Sequence, residues 1–428
     1  MQSQTAPIIK DLVLLGGGHS HVIVLRMFGM NPLPGVRITL ISPEVRSPYS
    51  GMLPGAIAGH YSLDDMHIEL MPLCQFAQAG FVRGTADGID LDRKLVHVRG
   101  RPPISYDVLS IDIGITPSLD VEGAEKVIPV KPISTFLARF ASFDAEVNAG
   151  SVRSVGFVGA GAGGVELALA VQYRLRDAFE VDYHLFLSGQ HALPAYPRSV
   201  QRHFDRLLMK RDFEVHTDFK VSSVSGEGEH NARTICADDG RTQTVDAVFW
   251  VTQAASPAWL TETGLALDDE GFVEVNAELQ STRHPDVFAT GDIASLTDPR
   301  PKAGVYAVRA GPVLYQNLKR HLQDNPLRAF KPQTNFLSLV SAGDRRAVAS
   351  RNGISVAGAW IWRWKDWIDR RFMARFNDLP EMKAPAPTGL LTEFDTQMQC
   401  AGCGSKVSGE LLKEVLDEST PYDKIYIV

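Results

Sequence analysis

Two stretches of the sequence decide the fold: Leu12-Val-Leu-Leu-Gly-Gly-Gly-His-Ser-His-Val-Ile-Val-Leu25 and Val155-Gly-Phe-Val-Gly-Ala-Gly-Ala-Gly-Gly-Val-Glu-Leu-Ala-Leu-Ala170. Each combines a short apolar run, a glycine turn and a run of helix-forming residues. This order is typical of the β-turn-α unit that opens a dinucleotide-binding domain. The sequence therefore predicts an α/β protein with two Rossmann-like domains.

The composition excludes several classes of protein. Of 428 residues, 44% are hydrophobic and 22% are charged, so the chain is not mainly disordered. Four cysteines are too few for a disulfide-stapled scaffold. The net charge of -7 argues against a nucleic-acid-binding protein, because binding phosphates requires a basic surface. No apolar run reaches the roughly 18 residues of a membrane span and the first residues lack the basic start of a signal peptide, so we expect a cytoplasmic protein.

The second glycine loop has the full dinucleotide-binding spacing, with Gly159, Gly161 and Gly164. The first of these glycines allows a tight turn, and the second lets the backbone approach a pyrophosphate. The third allows the helix to pack closely on the strand, and the start of that helix stabilises the anion. This loop predicts a nucleotide site.

The first loop departs from that spacing. It has Gly16 and Gly18, but His21 stands at the third glycine position. A histidine there predicts wider packing of helix on strand, or a side chain that points outwards. We interpret His19 and His21 as polar residues at the start of a helix, and contact of one of them with a cofactor or substrate is the alternative.

Neither unit has a clear acidic residue where a ribose hydroxyl would be bound. Ser42 and Ser188 stand at those places, so the choice between NADH and NADPH stays open. Farther along, the segment Thr290-Gly-Asp-Ile293 follows an apolar run. Asp292 is suited to accept hydrogen bonds from the ribityl chain of a flavin, and a helix N-cap is its alternative role.

The order of these motifs resembles that of the NAD(P)H–flavin oxidoreductases of the pyridine nucleotide-disulphide type, over about residues 8–380. Within this family the chain is most similar to the branch of type II NADH dehydrogenases and apoptosis-inducing factor. Residues 16–21, 49–55 and 302–310 resemble the subgroup that is fused to selenide, water dikinase. Residues 401–407 resemble the start of that kinase.

The resemblance implies an FAD domain that is split by an NAD(P) domain, and a small C-terminal α+β region. The expected boundaries are 8–117 and 265–325 for the FAD domain, 118–264 for the NAD(P) domain, 326–380 for the C-terminal region, 381–396 for a linker and 397–428 for a truncated dikinase-like segment. Kinase activity is not expected, because the large nucleotide-binding body of that enzyme has no counterpart here.

The resemblance also implies FAD and NAD(P)H as cofactors and gives individual residues a role. Glu166 would lie where the nicotinamide meets the flavin, and Lys131 would approach the isoalloxazine; a surface helix residue and an exposed lysine are the respective alternatives. In the dikinase-like segment, Cys403 and Lys406 match active-site residues of the kinase. The cofactor-binding candidates are Gly16, Gly18, His19, Ser20, Ser42, Pro43, Arg46, Asp112, Gly114, Gly159, Gly161, Gly164, Gly291 and Asp292. No metal site is predicted.

A tryptophan-rich segment, residues 360–373, predicts a helix with an aromatic face. The residues on that face are Trp360, Ile361, Trp364, Trp367 and Ile368. Basic residues around it suit peripheral contact with a membrane. We favour packing on the flavin domain or across a homodimer, because interleaved aspartates weaken the basic face. Residues 336–340 and 347–356 are predicted to form short strands before this helix.

The sequence leaves the electron acceptor open. The Cys-x4-Cys pair of the disulfide reductases is absent after the first loop, and Cys74 stands alone. Tyr306 and Arg309 stand where the quinone-reducing branch usually has glutamines. We predict an FAD-dependent NAD(P)H oxidoreductase that reduces a small molecule and is linked to selenium metabolism. The alternatives are an NADH–quinone oxidoreductase at a membrane surface and a non-enzymatic redox sensor or scaffold.

Overall fold

The first glycine loop follows the central strand of a five-stranded sheet in which all strands are parallel. The computed structural model describes residues 7–117, 121–177, 180–226, 232–252 and 254–380. The sheet has the order β21-β9-β1-β2-β5, with β1 Lys10–Leu15, β2 Val36–Ser42, β5 Gly80–Arg83, β9 Val108–Ile111 and β21 Val287–Ala289. Leu15 is in register with both Ile41 and Ile111, so the carboxyl ends of three strands meet beside the loop.

The second glycine loop follows the central strand of another five-stranded parallel sheet. Its order is β11-β18-β12-β13-β14, with β11 Ile128–Pro129, β12 Ser154–Val158, β13 Asp182–Phe186, β14 Phe213–His216 and β18 Ala247–Trp250. The predicted α/β fold with two Rossmann-like domains is confirmed. The residue boundaries of the domains stay a prediction.

Smaller sheets flank the parallel ones. Two three-stranded antiparallel sheets are β6 Ala86–Asp90, β7 Leu95–Val98 and β8 Ile104–Ser105, and β15 Val221–Ser225, β16 Arg233–Ala237 and β17 Thr242–Val245. The two-stranded pairs are β3 Arg46–Pro48 with β4 His67–Glu69, β10 Thr116–Pro117 with β19 Ala254–Ala255, and β20 Val273–Val275 with β22 Ala294–Leu296.

The described residues form eight α-helices besides several short 3-10 helices. The helices are α1 His19–Met30, α2 Leu53–Ile57, α3 Leu70–Ala77, α4 Ile133–Asn148, α5 Ala162–Arg174, α6 Arg198–Lys210, α7 Gly304–Leu322 and α8 Ala359–Asn377. Helix α7 lies against α1, and an added Cβ on Gly311 would lie only 2.9 Å from the side chain of Ile23. Glycine therefore sets the distance between these two helices, and Leu25 and Phe28 are fully buried in the core beside them.

The C-terminal region is a β-meander followed by one helix. Its strands are β23 Ser338–Ala342, β24 Asp344–Arg351 and β25 Ile354–Gly358, paired antiparallel. The predicted single strand over residues 347–356 is wrong, because the chain reverses at Asn352 and Gly353. Both residues have positive φ, 51° and 81°, as a tight hairpin requires.

Helix α8 turns one face inwards and its tryptophans mostly outwards. The buried residues are Ile361, Trp362, Lys365, Asp369, Phe372, Met373 and Phe376. Trp360, Trp364 and Trp367 are 54%, 39% and 54% exposed. The predicted face was therefore wrong for Ile361, which packs inwards, whereas the three tryptophans share the outer side. The interpretation that α8 packs on the rest of the protein is correct for its buried face.

Residues Ile8–Leu379 form one compact unit, which contains every sheet named above. Cys403, Lys406, the linker and the whole dikinase-like segment lie outside the described residues. Within the described part of the chain, no helix has both the length and the apolar character needed to cross a membrane.

Asn317 gives a test of the packing of α7. Its side chain is fully buried, and its amide donates to the carbonyls of Glu278 and Arg328 at 2.7 and 2.8 Å while its oxygen accepts the Arg328 N–H at 2.8 Å. We expect Asn317→Leu to lower the free energy of unfolding by about 2–4 kcal/mol, because three backbone groups lose their partner. Urea denaturation measures this, and the exposed Asn325→Leu is the matched control; equal midpoints for the two variants would contradict the prediction.

Candidate functional site

The first glycine loop lies directly against the residue that follows β9. Gly16 has a φ of +97°, and an added Cβ there would lie 2.3 Å from the carbonyl oxygen of Asp112. The Gly18 N–H donates to that same carbonyl at 3.1 Å. Any side chain at Gly16 would push β1 away from β9, which explains why the turn needs glycine.

His21 stabilises this loop from the buried side of the turn. Its ring is fully buried, with Nδ1 2.7 Å from the Gly16 carbonyl and Nε2 2.8 Å from the Ser110 hydroxyl. Burial lowers the pKa of His21 to about 4, so the ring is neutral, Nδ1 donates to Gly16 and Nε2 accepts from Ser110. The expected outward-pointing side chain was wrong, because the ring is fully buried between the turn and Ser110, whereas the expected wider packing of helix on strand stays a prediction.

Asp112 occupies the N-terminus of α1. Its Oδ2 accepts the N–H groups of Ser20 and His21 at 2.9 and 3.2 Å, a favourable position for an acid at a helix start. Burial raises the pKa of Asp112 to about 7, the two N–H groups oppose this shift, and the charge of Asp292 adds to it. Asp112 can therefore carry a proton near neutral pH, which removes its repulsion for a phosphate at the same helix start.

The hydroxyl of Ser20 makes its hydrogen bonds within the protein. Its hydroxyl donates to the Ala307 carbonyl at 2.8 Å and lies 3.1 Å from the Thr290 hydroxyl, and the residue is fully buried. The hydroxyl of Ser20 therefore joins α1 to α7 and to the turn after β21. Its predicted contact with a cofactor is not supported by the direction of this side chain.

His19 points towards the opposite side of the helix, at an aromatic pocket. Its ring centroid lies 5.5 Å from Tyr49 and 6.4 Å from Phe372. Burial lowers the pKa of His19 to about 4, with Asp292 opposing and Lys131 reinforcing the shift. Its Nε2 is buried and has no hydrogen-bond partner among the described residues. An orphaned polar atom beside the glycine loop fits a site that receives a polar ligand.

Asp292 and Lys131 meet at the same place. The Lys131 ammonium donates to Oδ2 of Asp292 at 3.2 Å, and the side chains are 38% and 18% exposed. The N-cap alternative for Asp292 was wrong, because Thr290 precedes the short helix Gly291–Ile293 and α7 begins only at Gly304. Gly291 has a φ of +71°, and an added Cβ would lie 2.4 Å from the Asp112 carboxylate. The end of β9, the start of α1 and the turn at Gly291 therefore converge on the Asp112 carboxylate.

The remaining candidates of the first domain lie at different depths. Ser42 is buried at the end of β2, where its hydroxyl accepts the Glu44 N–H at 3.3 Å. Pro43 is exposed, and Arg46 forms surface ion pairs with Asp64 and Glu69 at 3.1 and 2.6 Å. Gly114 has a φ of +69° and open space around it. Contact of these four residues with a cofactor stays a prediction.

The second glycine loop leaves the start of α5 open. Added Cβ atoms at Gly159 and Gly164 would lie 2.7 Å from the Val251 carbonyl and 2.3 Å from the Gly159 carbonyl, respectively. An added Cβ at Gly161 would meet nothing within 4 Å. The first and third glycines are thus required by packing, and the second faces free space before the helix, as a pyrophosphate site requires.

Glu166 is held from the C-terminal region. Its Oε1 accepts the Ser341 N–H at 2.6 Å, so the surface-helix alternative for this residue was wrong. Burial raises the pKa of Glu166 to about 7; Lys365 and the Ser341 N–H oppose the shift, and Asp369 adds to it. Glu166 can therefore exist in either protonation state near neutral pH.

Lys365 and Asp369 of α8 form a buried ion pair that the sequence analysis did not find. The Lys365 ammonium donates to Asp369 at 2.6 Å and to the Gly51 carbonyl at 2.7 Å, and the Tyr49 hydroxyl donates to Asp369 at 3.3 Å. The two charged side chains are 10% and 6% exposed. Burial raises the pKa of Asp369, and Lys365 opposes this shift. The i,i+4 spacing of the two residues was the available signal.

The residues around the first glycine loop fit FAD. His19 offers an unpaired buried nitrogen, and Asp292 stands after the carboxyl end of β21. No hydrogen bond among the described residues uses the N–H groups of Gly17 and His19. The carboxylate of Asp112 is the one unusual group, and its raised pKa reconciles it with a neighbouring phosphate.

Comparisons with known proteins agree with the predicted family and fold. The family model described as pyridine nucleotide-disulphide oxidoreductase matches residues 10–311. The NADH dehydrogenase-like protein YutJ of Bacillus subtilis is 24% identical over 345 residues, which are 79% of this chain and 91% of YutJ.

Two solved structures share the fold. The sulfide:quinone oxidoreductase of Aquifex aeolicus has a TM-score of 0.72 at 19% identity and covers 89% of this chain and 93% of its own. The NDH2 of Plasmodium falciparum in complex with NADH has a TM-score of 0.72 at 13% identity and covers 87% of this chain and 100% of its own.

These matches decide between the enzymatic and the non-enzymatic expectations in favour of an enzyme. Since the family model covers well over half of the sequence, the chain belongs to the pyridine nucleotide-disulphide oxidoreductase family and is an NAD(P)H oxidoreductase with FAD and NAD(P)H as cofactors.

Proposed function

We propose that this oxidoreductase passes electrons from NAD(P)H to a small quinone-type acceptor at a membrane surface. The observation that carries the proposal is that the two faces of α8 differ in their residues and surroundings. Its inner face places Lys365 and Asp369 beside Tyr49, within the polar cluster that also influences Glu166. Its outer face exposes three tryptophans. One helix therefore connects the candidate redox site with a surface suited to apolar acceptors.

The first glycine loop, Asp292 and Lys131 would hold the FAD, and the second glycine loop would hold the NAD(P)H. FAD held there would supply the redox chemistry, a hydride taken up from NAD(P)H and two electrons for the acceptor. The chain itself binds and orients both cofactors. Lys131, paired with Asp292 at 3.2 Å, places a positive charge at the same position and would stabilise negative charge that develops there.

Glu166 would act on the nicotinamide. Hydride donation leaves a positive charge on the nicotinamide ring, and an ionised carboxylate nearby stabilises that charge. Because the pKa of Glu166 is about 7, this help would be absent in acid and present above neutral pH. The Ser341 N–H keeps the carboxylate in one orientation.

Tyr49, Asp369 and Lys365 would supply a proton to the acceptor. Reduction of a quinone takes up two electrons and two protons, and NAD(P)H provides only one proton equivalent within its hydride. The second proton must come from solvent through the protein. The hydroxyl of Tyr49 donates to Asp369, which is bound to Lys365, and this hydrogen-bonded chain runs beside His19.

The outer face of α8 would rest on lipid. Trp360, Trp364 and Trp367 offer apolar area with polar ring nitrogens, the composition typical of membrane interfaces. The guanidinium of Arg371 lies 5.1 Å from the Trp367 ring and adds a positive charge for anionic head groups. The solved sulfide:quinone oxidoreductase has the same fold, which supports this proposal without deciding the acceptor.

A selenium compound is the second candidate acceptor. It is favoured by the resemblance of residues 401–407 to the start of selenide, water dikinase, where Cys403 and Lys406 would be the reactive pair. An acceptor screen that compares quinone, selenium species and ferricyanide under NAD(P)H separates the two candidates. The cytoplasmic location of the protein and a homodimer stay predictions.

Gly291→Ala tests the FAD site. The new Cβ would lie 2.4 Å from the Asp112 carboxylate, so we expect at least about ten-fold weaker FAD binding, measured by flavin absorbance per protein after titration. Gly353→Ala is the matched control, because Gly353 has a similar φ of +81° but open space around it. Both variants carry the same backbone strain of about 1–2 kcal/mol, so equal FAD affinities would contradict the proposed site.

Glu166→Gln tests the nicotinamide role. In the wild type we expect the rate constant of anaerobic flavin reduction by NADH to rise about ten-fold between pH 6 and pH 8, as Glu166 loses its proton and stabilises the developing charge. Stopped-flow absorbance measures this rate. In Glu166→Gln the rise should disappear.

Asp112→Asn provides the control for this pH profile, because the pKa of Asp112 is also about 7. That variant should keep the rise in flavin-reduction rate. A rise that survives in Glu166→Gln and vanishes in Asp112→Asn would assign the titration to the FAD site and refute the role given to Glu166.

Trp364→Glu with Trp367→Glu tests membrane contact. We expect the wild type to float with vesicles that contain anionic lipid and the double variant to lose at least about ten-fold in partitioning, because two charges replace apolar area. Its NADH–ferricyanide activity should stay unchanged. Met209→Glu, at a residue of α6 that is 75% exposed, is the control for an added surface charge. Unchanged flotation of the double variant would remove the membrane from the proposal.

A further inference from the structure

Three metal-ligating side chains meet at the outer edge of the second parallel sheet, in strands β13 and β14. Alternate residues of a strand point to the same face, so Glu214 and His216 of the edge strand β14 share one face. His184 of the neighbouring strand β13 is in register with Glu214 and lies on that face too. The two strands therefore bring two imidazoles and one carboxylate together, although His184 lies 32 residues before His216 in the chain.

The distances between the ligating atoms match a small coordination sphere. Nδ1 of His184 lies 3.1 Å from Nε2 of His216. The Glu214 carboxylate lies 3.4 Å from the first nitrogen and 3.6 Å from the second. Bond lengths of about 2.0–2.2 Å around a tetrahedral zinc ion place neighbouring ligand atoms roughly 3.3–3.5 Å apart. All three atoms already lie within 4.8 Å of one another.

We propose that His184, Glu214 and His216 bind one divalent transition-metal ion of the zinc class. Two imidazole nitrogens and one carboxylate oxygen favour zinc, cobalt, nickel or copper over magnesium and calcium, which prefer oxygen ligands alone. The histidine side chains are 7% and 14% exposed and form the base, while Glu214 is 63% exposed at the mouth. The fourth position therefore faces solvent and would be filled by water.

The surroundings prepare the histidines for this role. The Phe186 ring stacks on His216 with centroids 4.5 Å apart, and Phe219 contacts it edge-on at 5.7 Å, so the imidazole has a fixed orientation. The ring therefore keeps its Nε2 beside Nδ1 of His184 and the Glu214 carboxylate.

A metal at this site would hold the edge of the sheet next to the second nucleotide loop. The His216 carbonyl accepts the Leu187 N–H at 2.9 Å, and the Phe219 N–H donates to the Leu187 carbonyl at 2.8 Å. The Asp218 N–H donates to Gly189 at 3.1 Å. The segment after β13 is thus attached to His216 and its neighbours, and the ion would tie that segment to β13 itself.

The experiment is a titration of the full chain with cobalt and zinc after treatment with a chelator. The protein carries Cys400→Ser and Cys403→Ser, so that the thiols of the C-terminal segment cannot bind the ion. We expect one equivalent of cobalt with the visible absorption of a four-coordinate site, displacement by zinc, and a rise in melting temperature with zinc. His216→Ala and Glu214→Gln should weaken cobalt binding at least about ten-fold and abolish the rise.

His191→Ala is the matched control, because His191 also pairs with a carboxylate, Asp205 at 2.9 Å, but has no second imidazole. This variant should bind cobalt like the parent protein. The proposal is overturned if the parent binds no stoichiometric cobalt, or if its affinity is the same in His216→Ala and Glu214→Gln. Correct folding of the variants is checked by circular dichroism and by FAD content, which the metal site does not touch.

Discussion

The close approach of three glycines to Asp112 is the constraint on which the site depends. Gly16, Gly18 and Gly291 come from two halves of the chain, and an added Cβ at any of them would lie within 2.5 Å of an atom of Asp112. A protein interior cannot expand locally without loss of packing. The first glycine loop, the end of β9 and the turn before α7 therefore keep their relative positions only while all three residues lack a side chain.

The starts of α1 and α5 illustrate how one motif serves two purposes. A helix start attracts negative charge, and at α1 a carboxylate of the protein already occupies part of it. At α5 the start is open, since Gly161 faces free space. The two helix starts therefore differ in how much of their positive end the protein itself occupies with a carboxylate.

Sequence reasoning found what is local and missed what is assembled over long distances. The glycine loops were predictable because strand, turn and helix are contiguous, and positive φ at Gly16 or Gly159 is a property of the turn itself. His21 could not be placed, because its partner Ser110 lies 89 residues away. The same applies to Glu166, whose orientation comes from Ser341 in another sheet, 175 residues away.

Helix α8 shows why burial cannot be read from periodicity alone. Lys365 and Asp369 belong to the basic residues and interleaved aspartates of the tryptophan-rich segment, yet they point inwards, because each finds its partner only in the folded protein. Burying an ion pair costs desolvation that its mutual attraction rarely exceeds, so apolar residues of similar volume would serve stability as well. A buried pair at that cost, in contact with Tyr49 and near Glu166, supports the proposal that these groups move protons and charge at the site.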